Sequence, residues 1–460
     1  MARILLLLFL LLLVPAPSKA QDRVVPQSAA QMQLSFAPVA AKVAPAVVNV
    51  YSRRTVREPR SPFFNDPFFS RFFGQGPMAP RVQQSLGSGV IVRADGVILT
   101  NNHVISGGDD IKIALADRRE FEAQVVLADD RTDLAVLRID TRGEKLPALG
   151  FADSDRAQVG DLVLAIGNPF GVGQTVTSGI VSALSRTAVG VSDYQFFIQT
   201  DAAINPGNSG GALVDMSGRL LGVNTAIYSR TGGSIGIGFA VPANLARLVV
   251  EGALGGGIKR PWFGADGQPV TPEIAQSLGL ARPEGVLLKS IYPGGPAGEA
   301  GLKIGDVVLA LGTFEVLDPQ ALRYRVATMK PGDDVAVRVF RNGKEHHVTL
   351  HAVLPPETPP RRETTIGGET PLQGAKVANL SPAVAEELRL DPFTKGVVVI
   401  AIKPRSYAAR YGFRPGDIVK RINGEEIASV SGLNDVLAGD ARGWRVSVER
   451  YGSTLNLSVR

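Results

Sequence analysis

Between residues 36 and 254 the chain alternates short apolar runs with turn residues. Gly89-Val90-Ile91-Val92, Val97-Ile98-Leu99, Ile111-Lys112-Ile113-Ala114-Leu115, Leu134-Ala135-Val136-Leu137 and Leu162-Val163-Leu164-Ala165-Ile166 have strand length, and Asp95-Gly96 and Gly107-Gly108 punctuate them as turns. Short strands at this spacing predict a mainly β barrel or sandwich rather than a parallel sheet with crossover helices. One helix is predicted at the end of the module. Pro242 suits its first position, Leu245, Leu248 and Val249 share a face, and Gly252 can cap it. Residues 255–261, opening with three glycines, read as a linker.

The rest of the chain repeats itself. Ala300-Gly301-Leu302-Lys303-Ile304-Gly305-Asp306-Val307-Val308 recurs as Tyr411-Gly412-Phe413-Arg414-Pro415-Gly416-Asp417-Ile418-Val419, and Gly285-Val286 recurs at the same offset as Gly396-Val397. Two copies of one domain are expected, over 262–355 and 371–460. Residues 356–370, rich in Pro, Thr, Arg and Glu, read as an exposed linker.

At the N-terminus, Arg3, an apolar run over 4–14 and small residues at Ser18 and Ala20 have the layout of a secretory signal peptide over 1–20, followed by an N-terminal segment over 21–35. The run is too short to cross a bilayer of about 30 Å; an uncleaved anchor is the competing reading. Cleavage predicts an exported protein with no membrane span, most simply in a bacterial periplasm.

Composition narrows the chemistry. The 460 residues match about three domains. A net charge of +6, with no long basic run, makes no case for a nucleic-acid partner. The absence of cysteine excludes disulfides and thiol catalysis. Of four histidines, His346, His347 and His351 fall on a strand late in the first repeat and read as a solvent-facing edge; only His103 lies in the first module. No metal site and no cofactor are expected.

Asn205-Pro206-Gly207-Asn208-Ser209-Gly210-Gly211 places a serine between glycines. Such a loop exposes the hydroxyl and lets backbone N–H groups converge, which acyl transfer requires. Alone the string also fits a tight turn; with a single upstream histidine in a β-rich module it points to a nucleophile.

Thr100-Asn101-Asn102-His103-Val104, Thr132-Asp133-Leu134-Ala135-Val136 and Gly207-Asn208-Ser209-Gly210-Gly211 resemble the three catalytic motifs of the HtrA/Deg serine proteases, in the His, Asp, Ser order of the chymotrypsin-like class. Ala165-Ile166-Gly167-Asn168-Pro169-Phe170-Gly171 and Ile198-Gln199-Thr200-Asp201 look like further family strings. The resemblance implies a chymotrypsin-like double β-barrel over 36–254, with an insertion loop over about 52–86, followed by two PDZ domains (α+β partial barrels). It implies Ser209 as nucleophile, His103 as base and Asp133 as its orienting acid, with Asp129 and Asp130 as competing acids. The N–H groups of Gly207 and Ser209 would form the oxyanion hole. Ile204, Ala226 and Ile227 would wall an apolar pocket that takes small aliphatic residues. Asn208 stands where digestive relatives carry Asp, so activation would come from ordering of loops 185–196 and 228–237, with Arg186 as a relay.

In the first repeat the resemblance implies a carboxylate-binding loop at Trp262-Phe263-Gly264-Ala265, with a helix near 320–330 closing the groove. Leu372-Gln373-Gly374-Ala375 is a poorer match in the second. The Phe-rich run at 62–73 occupies the position of the family's long loop and is expected to plug a neighbouring site or bury an oligomer contact. Altogether the resemblance implies an endopeptidase for unfolded or damaged envelope proteins, assembling as a homotrimer or a multiple of one and binding peptide C-termini. A chaperone-like binder with minor proteolysis and a secreted esterase are the alternatives.

Overall fold

The computed structural model describes residues 35–56, 81–168, 173–186, 196–227, 234–439 and 443–459; of 54–56, 81–84, 185–186 and 226–227 only the backbone is described. The signal segment over 1–20 and the Phe-rich run at 62–73 lie outside these residues, as do 187–195 and 228–233 of the two loops.

The first module is two closed six-stranded barrels. The first contains β1 (Val47–Val56), β2 (Arg81–Arg93), β3 (Val97–Asn101), β4 (Asp110–Ala114), β5 (Glu120–Asp129) and β6 (Leu134–Ile139), in the order β1-β2-β3-β6-β5-β4. The second contains β7 (Leu162–Gly167), β8 (Thr175–Arg186), β9 (Phe197–Thr200), β10 (Ala212–Val214), β11 (Leu220–Ile227) and β12 (Gly238–Pro242), in the order β10-β11-β12-β9-β8-β7. Each apolar run named above falls within one strand or overhangs it by a single residue. Val97-Ile98-Leu99 has no polar alternation because β3 is buried at all five positions. It pairs with β2 and β6 in its own barrel and packs on β11 of the other. The seam between the barrels runs along its end.

Three sequence expectations are corrected. The segment 52–86 is not all loop: Ser52 to Val56 pair in register with Ser85 to Arg81, so the insertion proper is shorter. The helix predicted after Pro242 runs Ala243–Leu254 and is capped by Gly255, with Pro242 as N-cap. Gly252 lies inside it for a different reason. A Cβ there would stand 2.7 Å from Ile258 Cγ1 and 2.8 Å from Ile258 Cα, so only glycine lets the returning chain pass. Finally, 356–370 is not wholly a linker, because Thr364–Thr365 joins the second repeat's sheet and Ile366 is buried.

The two repeats fold alike. In the first, strands Ala265–Pro269, Val286–Ile291, Val307–Leu311, Asp334–Arg341 and Lys344–His351 lie side by side in that order; the three histidines are exposed on the last, an edge strand. The second has Ala375–Asn379, Val397–Ile402, Ile418–Ile422, Trp444–Arg450 and Ser453–Val459, plus Thr364–Thr365 on its leading edge. The repeated Gly-Asp encodes a buried ion pair. Asp306 caps its loop through Lys303 N–H and meets Arg341 at 2.6 Å; Asp417 does the same with Arg414 N–H and Arg450.

Both repeats touch the barrels. Tyr324, on the helix Pro319–Ala327, is fully buried and stacks on Phe196 with ring centroids 3.8 Å apart, while Arg325 pairs with Asp155. In the second repeat, Glu386 pairs with Arg131 at 2.9 Å and Arg389 with Asp130 at 2.5 Å. Arg260, in the first linker, reaches Asp129 at 2.5 Å.

Candidate active site

His103 sits on a one-turn helix, Asn102–Ile105, that follows β3 directly; Val104 and Ile105 are buried and the imidazole faces outward. Asp133 lies one residue before β6. It adopts a left-handed backbone (φ 56°), which a short polar side chain tolerates better than most. In that conformation its carbonyl accepts from Asn102 N–H (3.0 Å) and Asn101 Nδ2 (2.9 Å). Its carboxylate is thereby turned under the histidine. Oδ1 accepts His103 N–H at 3.0 Å and Oδ2 lies 2.8 Å from His103 Nδ1. Of the competing acids, Asp129 is engaged by Thr132 Oγ1 and Arg260, and Asp130 by Arg389.

Sequence reasoning missed Thr225, on β11. Its hydroxyl donates to Asp133 Oδ2 at 2.7 Å, and its carbonyl accepts the Ser209 hydroxyl at 3.1 Å. One residue of the second barrel thus ties the acid to the serine across the seam. The serine's hydroxyl donates to this carbonyl rather than to the imidazole.

Around Ser209 the backbone is held almost completely. Asn208 N–H donates to Asn205 O (2.9 Å), Gly211 N–H donates to Asn208 O (2.9 Å), Ser88 N–H donates to Ser209 O (2.8 Å), and Ser88 Oγ donates to Gly207 O (2.7 Å). The N–H groups of Gly207 and Ser209, on either side of Asn208, have no acceptor among the described residues. Gly207 reaches this arrangement at φ 100°, and Gly210 at φ 83°. A Cβ on Gly210 would fall 2.1 Å from Ser88 O, which accounts for the first glycine after the serine.

Ile204 is 1% exposed and packs in the second barrel's core, with its Cδ1 2.8 Å from where a Cβ on Gly238 would be. It lines core rather than an open cavity. Ala226 and Ile227 lie on β11 opposite Phe239 and Gly238; their side chains, like that of Arg186, are outside the described set.

In the first repeat Trp262 is buried and its N–H donates to Val353 O, so it drops out as a carboxylate donor. The N–H groups of Phe263 and Gly264 have no acceptor among the described residues. The strand Ala265–Pro269 follows, paired on one side only, and the helix that faces it is Pro319–Ala327, shorter than the expected 320–330. In the second repeat the equivalent loop is engaged: Gln373 N–H donates to Thr370 O and Gly374 N–H to Ile366 O.

Comparison with known proteins agrees with this architecture. Residues 87–223 match a trypsin-like peptidase domain, and 233–351 and 374–460 match a PDZ domain. A protein of Chlamydia trachomatis serovar D named "Probable periplasmic serine endoprotease DegP-like" is 38% identical over 429 residues, covering 88% of this chain and 84% of that one. A Brucella suis biovar 1 protein of the same name is 38% identical over 449 residues, covering 90% and 86%. Among solved structures, the HtrA-type protease AlgW with decapeptide is 48% identical, with a TM-score of 0.53 over 70% of this chain and 99% of that one. No helix among the described residues is long and apolar enough to cross a membrane. The chain belongs to the HtrA/DegP-like family of serine endoproteases.

Proposed function

We propose that Ser209, His103 and Asp133 carry the endopeptidase reaction and that the N–H groups of Gly207 and Ser209 hold the oxyanion. The observation that carries this is the single Asp133 oxygen shared by His103 Nδ1 and Thr225 Oγ1, with Thr225 O beneath the Ser209 hydroxyl. Rotation of Ser209 toward the imidazole lets Nε2 take its proton as Oγ attacks the scissile carbonyl. Asp133 holds Nδ1–H and stabilises the imidazolium. The developing oxyanion is met by the two unengaged N–H groups. Nε2–H then protonates the leaving amine, and water repeats the sequence on the acyl-enzyme.

With Ile204 in the core, the pocket falls to Ala226 and Ile227, which carry no acid to attract Lys or Arg; cleavage after small aliphatic residues is the reading we retain. Peptide C-termini are assigned to the first repeat, where Phe263 and Gly264 offer N–H groups and the neighbouring strand has an open edge. The second groove is filled by the chain itself. Thr364 and Thr365 pair antiparallel with Val377 and Lys376, and Ile366 enters the core beside Leu372 and Leu433 while Gly374 N–H holds its carbonyl. The relatives' names support a periplasmic location, reached by export through the segment 1–20. Assembly as a trimer or a multiple of one, unfolded or damaged envelope proteins as substrates, and activation by loop ordering complete the reading.

The test is digestion of an unfolded protein by wild type and by Ser209→Ala. Cleavage should fall about a millionfold with the fold intact. If neither form cuts while both suppress aggregation equally, the chain is a binding protein instead.

A further inference from the structure

We propose that Ser88 is a positioning residue for the oxyanion hole. The proposal rests on the reading of Gly207 and Ser209 as its donors.

Ser88 lies on β2, in the first barrel, and is fully buried. Its four polar connections all lead to the seam. Its N–H donates to Ser209 O (2.8 Å) and its carbonyl accepts from Thr100 Oγ1 (2.7 Å). Its hydroxyl accepts from Asn168 N–H (2.9 Å) and donates to Gly207 O (2.7 Å). The direction of these last two bonds is unambiguous. A backbone N–H can only donate, so Ser88 Oγ accepts from Asn168. A carbonyl can only accept, so the single hydroxyl proton points at Gly207.

The consequence is geometric. The peptide between Gly207 and Asn208 is held at both ends, its carbonyl by Ser88 Oγ and its N–H by Asn205 O. The peptide after Ser209 is held by Ser88 N–H. One residue thus grips the loop on either side of Asn208. Gly207 has no side chain to limit its rotation, and it sits at φ 100°. Without the hydroxyl, nothing else on the described chain holds its carbonyl. The Gly207–Asn208 peptide then keeps only its Asn208 N–H bond to Asn205 O, and Gly207, freed at its carbonyl, can rotate and swing its own N–H away from the reacting carbonyl.

Asn168 sets the far end of the relay. Its Nδ2 donates to Asn49 Oδ1 (2.6 Å) on β1, and its Oδ1 accepts from Gly173 N–H (2.8 Å). The hydroxyl is therefore anchored to the first barrel and to the segment after β7 together. Ser88 touches no reacting atom; it acts through Gly207 and Ser209.

The test is Ser88→Ala in the full chain, measured with a cleavable peptide and with a peptidyl trifluoromethyl ketone. The hemiketal that the ketone forms with Ser209 places an oxyanion in the hole. We expect kcat to fall about a hundredfold with KM within twofold, and affinity for the ketone to fall by the same factor. Binding of the matching uncleavable peptide amide should be unchanged. A variant that loses kcat but keeps its preference for the ketone over the amide overturns the proposal. So does a variant with unchanged kcat, or one in which only KM rises. If wild type itself shows no preference for the ketone, the oxyanion reading fails, which is a separate result. Should Ser88→Ala melt below the assay temperature, Ser88→Cys carries the same measurements, because its thiol has similar size and donates weakly.

Discussion

Thr225→Val keeps the branched shape of the residue and its backbone carbonyl while deleting one hydroxyl. That hydroxyl donates at 2.7 Å to a carboxylate that is only 5% exposed. A hydrogen bond to a charged group contributes about 1.5–3 kcal/mol. At about 1.4 kcal/mol per factor of ten, losing it predicts a fall in kcat/KM of roughly 10- to 150-fold. Two effects bound the number. Asp133 keeps both bonds to His103, so the loss stays well short of the roughly 10⁴-fold cost of removing a triad acid altogether. A carboxylate with one donor fewer also holds the imidazolium more tightly, which offsets part of the fall and favours the lower half of the range. The assay is steady-state cleavage of a peptide by wild type, Thr225→Val and Thr225→Ser, with melting temperatures recorded in parallel. Thr225→Ser retains the donor and should recover most of the activity. If Thr225→Val stays within twofold of wild type, or if Thr225→Ser is as impaired as Thr225→Val, the bridge between the acid and the serine is not functional.

Two further outcomes follow from the repeats. Arg450→Ala leaves Asp417, which is fully buried, without its cation; the second repeat should lose about 3 kcal/mol, read by hydrogen exchange or calorimetry, and a loss below about 1 kcal/mol would contradict the pairing. Ile366→Gly should release the second groove, so that a peptide ending in Thr-x-Ile binds one site per chain in wild type and two in the variant by titration calorimetry; two sites in wild type, or one in the variant, would refute self-occupancy.

Much of this site could be read without coordinates, because its motifs are local. Thr100-Asn101-Asn102-His103-Val104 is a strand end followed by one helical turn, and Thr132-Asp133-Leu134 is a turn entering a strand. The repeated Gly-Asp likewise marked a position with the same structural task in both copies. What escaped were contacts between residues distant in sequence. Thr225 stands 92 residues from Asp133, and Ser88 stands 119 from Gly207. Neither periodicity nor turn chemistry carries information about a hydroxyl that acts across a barrel seam. Gly87-Ser88-Gly89 offered one cue, a polar residue between glycines just ahead of the apolar run Val90-Ile91-Val92. Residues 364–366 were misread for a related reason. A polar, Pro-rich composition describes the segment as a whole, whereas its role depends on one isoleucine and an open strand edge several residues ahead.

The grip of the second repeat on 130 and 131 bears on how the enzyme is dissected. Glu386 and Arg389 hold Arg131 and Asp130, only two or three residues ahead of Asp133. A chain shortened before residue 371 therefore loses more than a peptide-binding module. It removes the Glu386 and Arg389 pairs from two charged side chains beside the proposed triad, so its turnover would report on an altered acid loop and not on the isolated barrels of the intact molecule.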